Sequence, residues 1–256
     1  MQRKACQLLI FFLLLFLIIS PAIWGQEQKI TFGFSVVRID SVYAVAPSTK
    51  VSKLMEYYRP EMERRMMTVV GYAPQEMRAF RPQSPLSNFA ADALLAVAKL
   101  YTDDPVDFSL TNFGGLRASF PQGDVRIYDL YAVFPFENTL VILDLEGKDV
   151  QELFNNFALR NRVEAVGNVS AEIQNGAIRQ LLIAGQPFDP NKRYKVATID
   201  FLLGGGDSVA ALKNAVAVQE TGVMIRDAVM QYISMLKSEG KNIETPIDGR
   251  IKILDE

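Results

Sequence analysis

The stretch TNFGGLRASF, residues 111–120, places two adjacent glycines between an asparagine and an arginine, directly after the strand-like residues VDFSL. A second stretch, DFLLGGGDSV at residues 200–209, follows the strand-like RYKVATI. Glycine has no Cβ, so its backbone can approach a ligand closely, and ligands often lie beyond strand ends at such turns. Both turns are therefore candidate binding loops, with tight turns that have no ligand as the alternative. Neither matches a dinucleotide fingerprint or a P-loop.

The segments around the two turns alternate between strand and helix patterns. Residues 84–101 predict a helix with Phe89, Ala93, Ala96 and Leu100 on one face. Further helices are expected at residues 126–134, after Gly147 (apolar face Val150, Leu153, Phe154 and Phe157), and from Thr221 (apolar set Ile225, Ala228, Val229, Tyr232 and Leu236). Strands are expected at residues 106–110, 138–145 and 193–199, and a hairpin at 168–185 turns at Asn175-Gly176.

The N-terminal third begins with a different kind of segment. Arg3 and Lys4 precede twelve uninterrupted apolar residues, 8–19, a length that fits a signal peptide and is short for a membrane-spanning helix. Cleavage after Ala22 or Gly25 would export the chain to the periplasm or the exterior, with no stable membrane insertion afterwards. An uncleaved membrane anchor is the alternative.

Residues 26–256 then predict a single layered domain of mixed α/β (α+β) class. Residues 29–45 are expected to be extended, and Ser48 or Thr49 is expected to cap a helix through residues 53–70 that Pro60 kinks or restarts.

Composition excludes several kinds of chemistry. The chain has no histidine, and its one cysteine, Cys6, lies in the predicted signal peptide. Nitrogen and sulfur ligands for zinc, iron or copper are then missing, as is the base of a Ser-His-Asp or Cys-His system. Ser234 and Lys237 have Ser-x-x-Lys spacing without its companion motifs. Carboxylate, lysine and tyrosine side chains remain for acid–base chemistry, and an oxygen-only magnesium or calcium site remains possible, although the sequence has no D-x-D-x-D-G loop.

The charge balance argues against two kinds of partner. The chain has 27 basic and 29 acidic residues, and removing Arg3 and Lys4 leaves 25 basic against 29 acidic, a formal net charge of −4. Its basic residues form no cluster, so a nucleic-acid backbone or an anionic membrane surface is not an expected partner.

Four separated motifs resemble one family. NFGGLR (112–117), FPFEN (134–138), DFLLGGGD (200–207) and SPLSNFAADAL (84–94) are similar to elements of the C-terminal domain of the secreted 5'-nucleotidases and UDP-sugar hydrolases, in that family's order. The similarity extends over about residues 48–254. The resemblance implies that, in whole members of the family, this domain binds the nucleoside part of the substrate. A preceding metallophosphatase domain holds two metals and carries out the hydrolysis. No counterpart of that preceding domain occurs in this sequence, so the resemblance implies no catalytic residue and no cofactor in this chain.

The resemblance also implies roles for individual residues. Phe136 and Phe201 match two rings that sandwich the base, Asp207 matches a carboxylate that accepts ribose hydroxyls, and Arg117 matches a phosphate-facing arginine. The other implied contacts are Asn112 and Asn138 around base and sugar, and Gly114, Gly115, Gly205 and Gly206, which let the chain pass close to the ligand.

One position departs from the family pattern. The family has a further arginine shortly before the position of Asn88, where this chain has Pro82, with Arg81 one place away and Arg78 further off. Either Arg81 reaches the same point or the affinity for an anion is reduced. A phenylalanine at position 136 is, by its local sequence alone, also compatible with a core position.

Two functions follow from these expectations. In the first, the chain is the nucleotide-binding half of a split 5'-nucleotidase: it binds a nucleoside monophosphate or related nucleotide and pairs with a separate metallophosphatase chain that supplies divalent metals. In the second, it is a stand-alone exported nucleotide- or nucleoside-binding protein. A decayed domain kept as a structural partner is the third, less favoured hypothesis, because Phe136, Phe201, Asp207 and Arg117 are all present.

Overall fold

The computed structural model describes Gly33 and residues 50–254. The expected signal peptide at residues 1–25 and the expected extended segment at residues 29–45 lie outside the described residues. The chain divides into two units, Met1–Lys53 and Leu54–Glu256, and every described helix and strand lies in the second unit except for the first residues of the helix that begins at Lys50. Among the described residues, no helix has both the length and the apolar content needed to cross a membrane.

Helices and strands alternate irregularly along the described chain. The helices are α1 Lys50–Met66, α2 Pro85–Ala98, α3 Ile127–Val133, α4 Gly147–Leu159, α5 Asp200–Leu203 and α6 Ile225–Ser238. The strands are β1 Val69–Ala73, β2 Phe108–Thr111, β3 Gly123–Arg126, β4 Thr139–Glu146, β5 Ala165–Gly167, β6 Val169–Gln174, β7 Ala177–Ile183, β8 Gln186–Pro187, β9 Arg193–Ile199, β10 Ala217–Met224 and β11 Ile251–Leu254. Short 3₁₀ turns occupy Phe113–Gly115, Gly206–Ser208 and Ala210–Asn214.

The strands form three open sheets, which makes the protein a mixed helix-and-sheet fold as the sequence predicts. The central sheet has the order β10-β4-β9-β2-β5, a second has the order β11-β6-β7-β8, and β1 pairs with β3. Strand β4 runs antiparallel to β9, with Leu140 opposite Ile199, whereas β2 runs parallel to β9. The ends of β2 and β9 and the start of β4 therefore lie at one edge of the central sheet.

The core lies around the central sheet and the helices packed on it. Helix α2 begins at a capping box, in which Ser84 and Ser87 exchange hydrogen bonds between side chains and backbone, and packs against α6, β2 and β5. Its wholly buried members include Phe89 and Leu94. The predicted apolar face of α4 is also buried, because its four apolar residues recur at helical spacing.

Several local predictions are confirmed. Asn175 and Gly176 have φ values of 52° and 71°, as a two-residue hairpin turn requires, and they join β6 to β7. The strand predicted at residues 138–145 corresponds to β4, and the strand at residues 193–199 is β9.

Three element boundaries differ from the sequence prediction. Helix α1 runs through Pro60 without restarting and ends at Met66, because the apolar residues that follow enter strand β1. Thr221 does not open the last helix: it lies in β10, which pairs with β4, and the helix begins at Ile225. Leu100 lies beyond α2 and is exposed, so the buried face of that helix ends at Ala98.

Candidate functional site

A cleft lies where β2 and β9 end and β4 begins. It has a volume of about 200 Å³ and is lined by Asn112, Gly114, Phe136, Asn138, Phe201 and Asp207. These six residues come from three chain segments that are far apart in sequence. The sheet topology brings them together, because β2 and β9 run in the same direction and β4 runs in the opposite one. All six were candidates from the sequence.

Two aromatic rings form walls of the cleft. Phe136, on the loop before β4, is 47% exposed, and Phe201, on α5, is 46% exposed. Neither ring is therefore a core residue, although the local sequence around Phe136 also allowed that. A half-exposed phenylalanine in a cleft offers a flat apolar face to a planar ligand.

Gly206 lets the Phe201 ring lie against the backbone. A Cβ added at Gly206 would be 2.7 Å from Cδ1 of Phe201 and closer still to two other ring carbons. Gly205 has a φ of 85°, a left-handed conformation that favours glycine, and a Cβ there would be 2.9 Å from Nζ of Lys213. The glycines of this loop thus make room for a ring and a lysine side chain of the protein itself.

Asp207 is held at the cleft by its backbone and its side chain. Its φ of 48° is left-handed, and Arg160 Nη1 donates a hydrogen bond of 2.9 Å to its carbonyl oxygen. Asn112 Nδ2 donates to Asp207 Oδ2 at 2.6 Å. Oδ1 makes no hydrogen bond to the described residues, so one carboxylate oxygen remains available as an acceptor.

Asn112 is almost completely buried and is fixed by the turn that follows it. A Cβ on Gly115 would lie 2.7 Å from its Oδ1, and one on Gly114 would lie 3.4 Å from its Nδ2. Its Oδ1 is buried without a hydrogen-bond partner among the described residues. The two glycines of NFGGLR therefore accommodate the Asn112 amide, which in turn holds Asp207.

Arg117 lies at the rim beside Phe136. Its guanidinium carbon is 5.9 Å from the centre of the Phe136 ring, and Nη1 donates a long hydrogen bond of 3.4 Å to the Gly114 carbonyl. Arg117 is exposed and forms no ion pair with any described residue. Its positive charge is thus available to an anion that approaches the rim.

Arg81 lies beneath the NFGGLR turn, and it is not among the residues that line the cleft. Its Nη2 forms a 2.8 Å ion pair with Glu164 Oε1, its Nη1 donates to the Val163 carbonyl, and its guanidinium carbon is 4.3 Å from the centre of the Phe113 ring. These contacts engage both terminal nitrogens. Arg81 thus supports the turn from outside the cleft, and its expected contact with a phosphate stays a prediction.

Glu164 and Arg160 are functional candidates that the sequence did not indicate. Glu164 is completely buried and accepts a hydrogen bond of 2.8 Å from the Phe113 amide, so it holds the start of the 3₁₀ turn. Arg160 makes a hydrogen bond of the opposite direction, since its Nη1 donates to the Asp207 carbonyl at 2.9 Å, and it holds the loop that carries Asp207. Neither residue belongs to a recognisable motif, and only the tertiary contacts with Phe113 and Asp207 identify them.

No metal-binding cluster occurs in the described part of the chain, where no three His, Cys, Asp or Glu side chains are close enough to hold an ion. The Ser234 hydroxyl donates to the Met230 carbonyl at 2.9 Å within helix α6, and Lys237 is exposed. The Ser-x-x-Lys spacing therefore belongs to an ordinary helix surface.

Comparison with known proteins decides the family. Residues 69–214 match the family model of the 5'-nucleotidase C-terminal domain, which is more than half of the chain. The chain belongs to this family. All of the cleft residues fall within the matched range.

Several known proteins resemble the chain along most of its length. Protein UshA of Yersinia enterocolitica is 27% identical over 201 residues, which are 77% of this chain and 36% of that protein. The trifunctional nucleotide phosphoesterase protein YfkN of Bacillus subtilis is 26% identical over 255 residues, 89% of this chain and 16% of that one. The chain thus spans about a third or less of these relatives.

Parts of solved structures share the fold of this chain. The crystal structure of a 5'-nucleotidase precursor from Thermus thermophilus is similar with a TM-score of 0.68 and 27% identity, over 82% of this chain and 44% of that one. The NAD nucleotidase NadN of Haemophilus influenzae matches with a TM-score of 0.62 and 21% identity, over 81% of this chain and 41% of that one, which shows a shared fold.

Proposed function

We propose that this chain is the nucleotide-binding half of a split 5'-nucleotidase-type phosphohydrolase, exported from the cell, whose hydrolytic chemistry comes from a separate metallophosphatase chain. The observation that carries the proposal is the cleft, in which two half-exposed rings, Phe136 and Phe201, lie with the free carboxylate oxygen of Asp207. The rings offer faces to a base, and the carboxylate offers an acceptor to ribose hydroxyls.

Charge supports a phosphorylated ligand. Arg117 is at the rim of the cleft beside Phe136 and has no ion-pair partner among the described residues. A guanidinium fork fits phosphate oxygens well. We therefore assign the base and sugar to the interior of the cleft and the phosphate to its rim, where a second chain would reach it.

The composition of the chain supports the division of labour. A two-metal phosphohydrolase centre needs ligands that hold both ions, and the sequence contains no histidine for this purpose. The purified chain should release no phosphate from nucleoside monophosphates with any divalent metal added. Steady release that survives stringent purification would contradict the proposal.

A stand-alone nucleotide- or nucleoside-binding protein is the second candidate, favoured by the same cleft. Co-expression with a neighbouring reading frame that encodes a histidine-containing metallophosphatase separates the two functions. The split enzyme predicts that the two chains co-purify and that hydrolysis appears only in the mixture. If neither occurs, the split-enzyme proposal is wrong and the binding protein remains.

Ligand binding is tested by thermal unfolding of the chain with adenosine or its monophosphate, up to millimolar concentrations. A ligand that binds only the folded state stabilises by about 2.7 kcal/mol at a hundredfold excess over Kd. For a domain of this size that corresponds to a rise in Tm of roughly 5–11 °C. Ribose 5-phosphate should have a far smaller effect, because it has no base to stack.

Alanine variants of Phe136 and Phe201 show whether the ligand-induced rise in Tm depends on stacking of the base between the two rings, an arrangement we call the clamp. Since both rings are half exposed, Phe136→Ala and Phe201→Ala should leave the Tm without ligand close to that of the wild type and remove the ligand-induced shift. If no nucleoside or nucleotide shifts the wild-type transition, base recognition by this chain alone is refuted.

A further inference from the structure

The loop that carries Phe136 has no regular structure of its own. It joins α3 to β4, and within it the buried Phe134 and the half-exposed Phe136 flank Pro135. Pro135 has no backbone N–H, and the hydrogen bonds that α6 makes to this loop are all accepted by its carbonyl groups. The position of the Phe136 ring therefore depends on what holds the carbonyl groups of the loop.

One side chain holds the two carbonyls on either side of Pro135. Arg226, in the first turn of α6, donates from Nη1 to the Phe134 carbonyl at 3.1 Å and to the Phe136 carbonyl at 3.2 Å. Its guanidinium carbon is 4.6 Å from the centre of the Tyr131 ring, which fixes the plane of the group. No described carboxylate forms an ion pair with Arg226.

The start of α6 also holds the far end of the loop. The Ile225 amide donates to the Asn138 carbonyl at 2.9 Å, and Met224 lies opposite Thr139 in the β10–β4 pair. Residues 224–226 thus contact the loop at both ends. Arg226 does not line the cleft, so its effect on a ligand passes through the loop.

We infer that Arg226 is the positioning residue of Phe136: it sets the place and the order of the ring against which a base stacks. The inference rests on the proposed function, since it assigns to Arg226 part of the affinity for a base. It also explains why the partly buried Arg226 guanidinium lies among carbonyl groups and against an aromatic ring, and has no carboxylate partner in the described chain.

The test compares Arg226→Met, which keeps an apolar stem and removes the donors, with Arg226→Lys, which keeps a cationic donor. Arg179→Met, at an exposed arginine of β7, is the matched control. Adenosine affinity, measured by calorimetry, should fall roughly tenfold in Arg226→Met, be largely restored in Arg226→Lys and be unchanged in Arg179→Met. Wild-type affinity in Arg226→Met would overturn the inference.

A Phe136→Leu background separates positioning from general damage to the structure. If Arg226 acts through the ring, Arg226→Met should cause little further loss of adenosine affinity once the ring is gone. An equal tenfold loss in both backgrounds would show that Arg226 affects binding by another route and would refute the inference.

A spectroscopic readout decides the inference without any ligand. The only tryptophan of the chain is Trp24, so Trp24→Phe combined with Phe136→Trp leaves a single tryptophan, at position 136, whose emission can be excited selectively over that of the tyrosines. Adding Arg226→Met should lower the emission anisotropy of that tryptophan, and Arg226→Lys should raise it again. If the wild type binds no nucleoside but the anisotropy falls as expected, the proposed function fails and the positioning role stands. Unchanged anisotropy would overturn the positioning role, and Arg226→Lys provides the comparison if Arg226→Met does not fold.

Discussion

Replacing Gly206 by alanine is the sharpest single test of the clamp, because it moves one ring and leaves the rest of the cleft in place. The added Cβ would lie 2.7 Å from Cδ1 of Phe201. An ordinary carbon–carbon contact is about 3.5–4.0 Å, so the ring has to move by about 1 Å or more. Gly206 does not have a positive φ, so alanine fits its backbone.

The ring has solvent to move into. Phe201 is 46% exposed, so it can turn outward without opening a cavity in the core. We expect the free energy of unfolding without ligand to change by no more than about 0.5 kcal/mol, as for an ordinary surface substitution. The lost stacking on one ring is worth roughly 1–3 kcal/mol, so adenosine should bind about 5- to 150-fold more weakly.

Gly204→Ala is the matched control for this experiment. Gly204 lies two residues away in the same loop, and the nearest atoms to its added Cβ are the backbone oxygens of Phe201, at 3.3 Å, and Asp200, at 3.6 Å. It should bind adenosine nearly as the wild type does. Affinities come from calorimetry and stabilities from thermal unfolding. Wild-type binding by Gly206→Ala, or an equal loss in Gly204→Ala, would refute the role of Phe201 as a wall of the site.

Four further predictions concern charged groups. Asp207→Asn should weaken adenosine binding about 10- to 150-fold, since hydrogen bonds to a charged acceptor contribute roughly 1.5–3 kcal/mol, and should leave the affinity for 2',3'-dideoxyadenosine unaffected in calorimetry. Arg117→Met should reduce the preference for adenosine monophosphate over adenosine, measured as a ratio of Kd values, and leave the adenosine affinity close to wild type. Arg250 is 9% exposed and pairs with Asp92 at 2.8 Å and with Asp248, so Arg250→Met should lower the free energy of unfolding by about 3–5 kcal/mol in denaturant titrations. Burial alone would raise the pKa of Asp248, but hydrogen bonds from Arg250 lower it overall. The ionised Asp248 therefore stabilises the fold at neutral pH, and this contribution is lost as the pH falls below about 3.9, the unfolded value, and through the lower folded pKa. Thermal unfolding of Asp248→Asn should not show that loss of stability in acid.

The local elements and the candidate residues of the cleft could be predicted from the sequence. Strand β4 contains four consecutive apolar residues at 140–143, the Asn175-Gly176 turn needs two positive φ angles, and the face of α4 recurs at helical spacing, so each is encoded within a few neighbouring residues. The resemblance of NFGGLR, FPFEN and DFLLGGGD to one family then named every residue that lines the cleft.

The contacts that hold those residues in place depend on the tertiary structure. The assignment of Thr221 depends on it too: threonine often caps helices, but pairing of β10 with β4 places Thr221 in a strand, because tertiary pairing overrides a local preference. Glu164 acts on Phe113 across 51 positions, Arg160 on Asp207 across 47, and Arg226 on Phe136 across 90. Each of these contacts joins a charged side chain to a backbone group, and a backbone group has the same chemistry in every residue except proline. A single sequence carries no mark of which backbone group such a side chain will reach, so these supports appear only when the chain is folded.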